Sequence, residues 1–253
     1  MNGSSAATPS VSGIAALVLE ANPALRWLDV KYILAKTARK VDAGIAMGAQ
    51  AVTYTPQGAT QSLQLSDPWV TNQGGFNFQA RYGFGLADAA AAVAMAQTYS
   101  APAGRRVTPL IATSLGSYRA FNLPLSAGHV AVIEQDSTFS SGKSGPVQVD
   151  LALNNTTGRT LNPGTLQVEL RNSVTGERSI LLPAYTAWYE GGKTDTLAAK
   201  GQQKFRFFSN AFYGGSLAGT WTLRVMLVDG VPNESAAFDA TTLANVTLTS
   251  HGF

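Results

Sequence analysis

The pattern of apolar and polar residues in the first hundred positions is typical of helices joined by loops. Residues 9–20 are small and apolar on every side, which predicts a buried helix that ends at Asn22. A second helix is predicted over residues 25–37. A third is predicted over residues 87–98, with Asp88 near its start, where a carboxylate suits the helix dipole. We therefore interpret Asp88 as a helix cap rather than a catalytic acid.

The remaining positions of this part are predicted from their polarity. Residues 39–75 contain scattered Gly, Pro, Gln and Thr, and we expect a loop there. The charged residues of the second helix are expected to face solvent; these are Arg26, Asp29, Lys31 and Lys36.

The pattern changes to a period of two beyond residue 101, so we place a domain boundary there. Turns rich in Gly, Asn and Pro separate the alternating runs. This spacing predicts antiparallel strands in a sandwich in which one face of each sheet is buried. The apolar positions of the clearest runs are Val147, Val149, Leu151 and Leu153, then Leu166, Val168 and Leu170, then Trp221, Leu223, Val225 and Leu227.

Composition narrows the class of protein. With 45% hydrophobic and 13% charged residues among 253, the chain has the composition of a folded, core-forming protein. The net charge of +3 is spread thinly, which argues against a nucleic-acid partner. There are no cysteines, which excludes disulfides and thiolate chemistry. No apolar stretch approaches the ~20 residues of a membrane span, and no signal peptide is visible.

The most informative motif lies at the start of the chain, where Gly3, Ser4 and Ser5 precede Pro9. A serine in such a setting is usually only a helix cap. However, residues 2–23, which begin NGSSAATP, are together with residues 27–34 similar to the subtilisin family around its nucleophile. That family has the pattern G-T-S-x-x-x-P followed by a buried helix. Ser4 takes the position of the family's Thr, and the spacing to Pro9 favours Ser5 over Ser4 as the nucleophile.

The resemblance continues in the family's order along most of the chain. Residues 82–89, YGFGLADA, resemble the end of the catalytic domain in the kexin-like branch, and residues 207–224 resemble the P-domain of that branch. The implied fold is the C-terminal, mostly helical portion of a doubly wound α/β domain over residues 1–101. An all-β P-domain sandwich follows over residues 102–253.

The same resemblance implies a function. It implies a secreted, extracellular or periplasmic bacterial serine endopeptidase that acts on polypeptides. A calcium site is a family expectation only, because Asp and Glu residues at calcium-loop spacing are absent.

The physical setting agrees with the nucleophile assignment. A serine at the mouth of a helix lies among unpaired amides, and its own N–H can serve as one oxyanion donor. Small neighbours at Gly3, Ala6 and Ala7 leave room for a substrate carbonyl. Pro9 is expected within the first turn, where its missing N–H costs nothing.

The partners of this nucleophile are missing from the sequence. In the subtilisin order the triad Asp and His both precede the serine, and only four residues precede Ser5. His129 and His251 lie in no motif, so a structural role is favoured for both. The family's Asn oxyanion donor also has no counterpart. We therefore expect this chain to be inactive alone, and we interpret Met1 as an internal methionine of a longer polypeptide.

Three interpretations stay open at this point. The chain is part of a protease whose upstream catalytic remainder is its partner, one half of a split or truncated protease, or a non-catalytic binding or adhesion module. Without the sheet on which a subtilisin helix packs, the apolar residues 11–19 would form an exposed patch.

Overall fold

The computed structural model describes most of the chain. The described residues are 3–44, 51–54, 61–64, 67–102, 108–125, 128–155, 166–184, 189–190, 193–194, 201–227 and 241–252.

The three predicted helices are present. They are α1 (Ser4–Ala21), α2 (Trp27–Thr37) and α3 (Ala89–Thr98). Asp88 caps α3, since its Oδ1 accepts a hydrogen bond from the amide of Ala91 at 3.0 Å. Asp29 does not face solvent as expected: it is buried, and its Oδ2 accepts from the amide of Arg26 at 3.0 Å to close a capping box at the start of α2.

A small apolar cluster holds the helices together. It consists of Val18, Leu25, Val30, Ile33, Ala92 and Ala96. The residues between α2 and α3 are not all loop, because two short hairpins occur there. The first lies within the predicted loop 39–75, and the second begins within it and ends at Phe78. Strands β1 (Ala51–Tyr54) and β2 (Gln61–Gln64) pair with each other, as do β3 (Val70–Thr71) and β4 (Asn77–Phe78).

The second part is built from antiparallel strands, as the alternation predicts. They are β5 (Thr108–Ile111), β6 (Thr113–Leu125), β7 (Gly128–Phe139), β8 (Val147–Asn155), β9 (Leu166–Asn172), β10 (Arg178–Leu182), β11 (Tyr189–Glu190), β12 (Lys193–Thr194), β13 (Gly201–Ser209), β14 (Gly219–Leu227) and β15 (Thr241–Gly252). A five-stranded sheet has the order β10-β9-β14-β7-β6, and a four-stranded sheet has the order β13-β8-β15-β5. Strands β11 and β12 form a separate pair.

One hydrophobic core lies between these two sheets. Trp221 is fully buried at its centre, where its Nε1 donates to the carbonyl of Leu217 at 2.8 Å and its ring meets Phe139 and Phe212 edge to face. The predicted alternating residues of β8, β9 and β14 all belong to this core. Each fully buried Val or Leu there contributes about 1.5–3 kcal/mol, so the core supplies most of the stability of this part.

The expectation of one buried face per sheet is wrong for the middle of the five-stranded sheet. Strand β9 is buried on both faces, because Gln167 and Glu169 on its outer side are as inaccessible as Val168 on its inner side. The buried charge of Glu169 is compensated by ion pairs with Arg178 and Arg224.

The two parts meet at a third cluster that contains Ala35 of α2, Phe76 and Tyr213. None of the helices that the structure describes is long and apolar enough to cross a membrane.

Candidate functional site

Ser5 is the second residue of α1 and is exposed. The helix is preceded by Gly3, whose φ of 85° lies in the left-handed region that glycine adopts without strain. No side chain caps this end, and the amides of Ala6 and Ala7 share the carbonyl of Gly3 at 3.1 and 3.2 Å. The amide of Ser5 belongs to the first turn, which has no intrahelical acceptors, and the helix dipole favours negative charge there. An oxyanion beside Ser5 would therefore find at least one amide donor.

Pro9 does not lie in the first turn, and that prediction is wrong. Because α1 begins at Ser4, Pro9 is its sixth residue and lies inside the helix. Proline has no N–H, so the helical hydrogen bond from residue 9 to the carbonyl of Ser5 is absent. Just beyond it, the hydroxyls of Ser10 and Ser12 bond back to the carbonyls of Ala6 and Thr8 at 3.1 and 3.0 Å. Pro9 thus loosens the ladder of the helix at the turn that carries Ser5.

No described residue serves as a base for Ser5. Its hydroxyl makes no side-chain hydrogen bond within the part of the chain that the structure describes. His251 lies in β15, where its amide donates to the carbonyl of Pro146 at 3.0 Å. His129 pairs with Pro124 between β7 and β6, and its side chain is not among those described. Both histidines therefore belong to strands of the sandwich, whereas Ser5 belongs to a helix of the other part.

Most of α1 is exposed, and the prediction of a buried helix is wrong for the chain as it stands. Only Val18 is buried, because α1 contacts α3 and α2 along one side. The expected exposed patch within residues 11–19 is present, with Val11, Leu17 and Leu19 exposed at 43%, 47% and 41%. Trp27 of α2, which was not part of that expectation, is 65% exposed. Between these helices and residues 84–87 lies an apolar groove of about 880 Å³. Its walls include Ala7, Ser10, Val11, Ile14, Trp27, Val30, Lys31, Leu34, Phe84 and Leu86.

Lys31 is a feature that the sequence did not reveal. It was expected to face solvent, but it lines the groove, and desolvation by burial lowers the pKa of its ammonium. Its Nζ donates to Oδ1 of Asn210 at 3.0 Å and lies 5.0 Å from the ring centroid of Tyr213. Nothing near Lys31 in the sequence signals this, since both contacts come from the sandwich.

Metal-ligating side chains are not clustered in the described part of the chain. Within the described residues, no three or more His, Asp and Glu side chains are grouped so that they could hold an ion.

Related proteins agree on one family. Residues 1–85 match the model of the subtilase family, Peptidase_S8. The Aeromonas extracellular serine protease of Aeromonas sobria is 31% identical over 261 residues, which cover 98% of this chain and 39% of that protein. The endoprotease bli-4 of Caenorhabditis elegans is 27% identical over 244 residues, which cover 95% of this chain and 22% of that protein.

A solved structure extends the likeness to the fold. The crystal structure of the serine protease of Aeromonas sobria matches all of this chain (100%) and 44% of that chain, with a TM-score of 0.69 and 28% identity. The chain thus spans less than half the length of the relatives that it matches. Sequence and fold agree over the whole chain with a protease of this kind, and the chain belongs to the subtilase family.

Proposed function

We propose that this chain is the C-terminal part of a kexin-like serine endopeptidase in which Ser5 is the nucleophile. Residues 1–101 are the end of the catalytic domain, and residues 102–253 are a P-domain that stabilises it. The substrate is a polypeptide, and the site of action is outside the cytoplasm. This location is supported by the Aeromonas relative, whose name describes it as extracellular.

The observation that carries the proposal is the setting of Ser5. It is exposed at the first turn of an 18-residue helix, inside the region that matches the subtilase family. Its Oγ would attack the peptide carbonyl, and the negative charge that develops on the carbonyl oxygen would accept a hydrogen bond from the amide of Ser5. The proton of the hydroxyl must pass to a base, and that base comes from outside this chain.

The groove beside α1 supports the idea that the catalytic domain is larger than residues 1–101. An exposed apolar helix face is costly in water and marks a surface that another element covers. We propose that the upstream remainder of the catalytic domain packs there. Each Val, Leu or Ile that it buries fully would contribute about 1.5–3 kcal/mol to the association.

A fluorophosphonate probe that labels activated serines tests the proposal. The 253-residue chain is expected to stay unlabelled and to show no peptidase activity. Loss of a triad member in subtilisin costs on the order of 10⁴- to 10⁶-fold in turnover, and here two members are absent. A longer polypeptide, obtained by reading the upstream DNA for in-frame Asp and His motifs, is expected to be labelled at Ser5.

Two variants of the longer polypeptide separate the two adjacent serines. Ser5→Ala should abolish labelling, whereas Ser4→Ala should retain it. Labelling of the 253-residue chain alone, lost in Ser5→Ala, would contradict its predicted inactivity. A longer polypeptide that has both motifs and stays unlabelled would overturn the peptidase proposal and favour a non-catalytic binding or adhesion role for the sandwich.

A further inference from the structure

The outer face of the four-stranded sheet presents a row of side chains that the proposed peptidase function does not use. Residues directly opposite each other on antiparallel strands lie on the same face of a sheet. The row crosses all four strands, and its neighbouring members are paired in register; it consists of Phe208 of β13, Gln148 of β8, Thr249 of β15 and Ile111 of β5. We call these four residues the crossing row.

The crossing row is apolar and exposed at both ends. Phe208 is 60% exposed and Ile111 is 69% exposed. The next residue along β13, Phe207, packs against the core of the sandwich, so Phe208 faces away from that core. Strands in a sheet lie about 4.8 Å apart, so three strand spacings place the two apolar ends about 14 Å from each other. A ligand that lies along the row would meet an apolar surface at each end and an amide and a hydroxyl between them.

Polar side chains beside Phe208 are fixed in place by hydrogen bonds. Oδ2 of Asp150 accepts from Nε2 of Gln148 at 2.5 Å, and its Oδ1 accepts from Nε of Arg206 at 2.6 Å. Desolvation by itself would raise the pKa of Asp150, but the hydrogen bonds from Arg206 and Gln148 outweigh it and lower this pKa. The carboxylate therefore stays charged at neutral pH and keeps both neighbours in position.

The same side chains keep hydrogen-bonding groups for a ligand. Arg206 is 63% exposed, and within the described residues its guanidinium bonds through Nε to Asp150 alone. Its two NH₂ groups are therefore available as donors. Oε1 of Gln148 accepts no hydrogen bond from the described part of the chain, so it is available as an acceptor. Donors and an acceptor thus lie beside an open aromatic ring.

The charge of this surface favours a neutral ligand. The crossing row has no charged member, and beside it the carboxylate of Asp150 neutralises the guanidinium of Arg206. An anion attracted by Arg206 would be repelled by Asp150, and a cation would meet the reverse. A sugar ring fits better, because its C–H face is apolar and its hydroxyls both donate and accept hydrogen bonds.

We propose that the crossing row, with Arg206 at its side, binds a neutral glycan chain. One sugar ring stacks on Phe208, its hydroxyls bond to Arg206 and Gln148, and the chain continues over Thr249 towards Ile111. The polar side chains are held in position before the ligand arrives, so little rotamer freedom is lost on binding. The sandwich would then hold the protein on a carbohydrate surface. This role is additional to the proposed peptidase function and does not require it.

Native affinity electrophoresis of the 253-residue chain tests the proposal. Separate gels contain hydroxyethyl cellulose, galactomannan, laminarin or dextran, which are neutral, and a further gel contains alginate, which is anionic. The gels are run towards the cathode, because the chain carries a net positive charge. At least one neutral polysaccharide is expected to retard the chain relative to a gel without polysaccharide. The dissociation constant follows from the retardation at several polysaccharide concentrations.

Four variants separate the site from a general effect of substitution. Phe208→Ala should weaken binding by about tenfold or more, because the aromatic surface is lost, whereas Phe208→Tyr should retain it. Arg206→Met should weaken binding by about tenfold, because charged donors are lost. Val174→Ala is the matched control, since Val174 is 72% exposed in the turn after β9 and lies on no strand of this sheet; its dissociation constant should not change.

Three results would overturn the inference. They are retardation by none of the four neutral polysaccharides, retardation by alginate alone, and equal dissociation constants for Phe208→Ala and the unsubstituted chain. The Phe208 side chain is exposed, so Phe208→Ala is expected to fold, and circular dichroism checks this. If it does not fold, unchanged binding in Arg206→Met overturns the proposed contacts instead. None of these measurements uses Ser5, so failure here leaves the peptidase proposal untouched, and the reverse also holds.

Discussion

Arg224 offers a sharp test of what stabilises the five-stranded sheet. It lies on β14, directly across from Glu134 of β7 and Glu169 of β9. Its Nε lies 2.5 Å from Oε1 of Glu134, and its Nη1 lies 3.1 Å from Oε1 of Glu169. The three side chains are only 9%, 8% and 2% exposed. The guanidinium is therefore the central cation between two buried carboxylates.

Arg224→Met removes that cation and leaves both carboxylates buried. Removal of one partner of a buried pair costs about 3–5 kcal/mol. Glu134 keeps Arg119 at 3.2 Å and Glu169 keeps Arg178 at 3.3 Å, so we expect the lower end of this range, about 3 kcal/mol. In a chain of this size about 1 kcal/mol moves the melting temperature by 2–4 °C, which gives a decrease of about 6–12 °C.

The matched control is Arg206→Met on the four-stranded sheet. Arg206 pairs with Asp150 at 2.6 Å, but these side chains are 63% and 30% exposed. Such a pair contributes about 0–1 kcal/mol, so the expected decrease is below about 4 °C. Differential scanning calorimetry of both variants measures the difference. Equal shifts in the two variants would refute the reasoning that burial makes the Arg224 pairs matter.

Two further predictions concern pH and glycine. Burial by itself would raise the pKa of Asp136, but hydrogen bonds led by that from Arg119 at 2.7 Å outweigh it and lower this pKa below its usual value. Asp136→Asn should therefore lower the melting temperature at pH 7. The difference in melting temperature between this variant and the unsubstituted chain should shrink as the pH falls through about 4 and below, because the carboxylate becomes protonated. A difference that grows in acid would contradict the lowered pKa. Gly145→Ala should destabilise the protein severely, because its Cβ would lie 1.7 Å from the carbonyl oxygen of His251. Gly13→Ala in α1 should instead raise the melting temperature by about 2–4 °C, because a Cβ there meets nothing within 4 Å and alanine is the better helix former. Differential scanning calorimetry of the two glycine variants measures both effects, and equal melting temperatures in the two variants would contradict the prediction.

Local patterns were enough to predict the three helices and the clearest strands of the fold. Strands β8, β9 and β14 follow from apolar residues at every second position, because a strand places alternate side chains on the same face. The cap at Asp88 follows from a carboxylate placed just before an alanine-rich run. Ser5 was found at a helix start because its motif lies within a few residues of chain.

The position of a helix end was less well determined. The apolar run predicts a helix from residue 9, yet α1 begins at Ser4, and this places Pro9 inside it. Small polar residues such as Ser4 and Ser5 suit both a cap and a first turn, so their identity does not fix the boundary.

The contacts that join distant parts of the chain were decided by the tertiary structure alone. Strand alternation places Arg224 and Glu169 on the outer faces of their strands. It does not predict that β14 and β9 are neighbours, or that the outer face of the sheet is buried there. Lys31 and Asn72 each bond to residues of the loop after β13, more than 130 positions away in the sequence. A polar side chain far from its partner carries no local signal, because its energy depends on which backbone or charge the fold brings beside it.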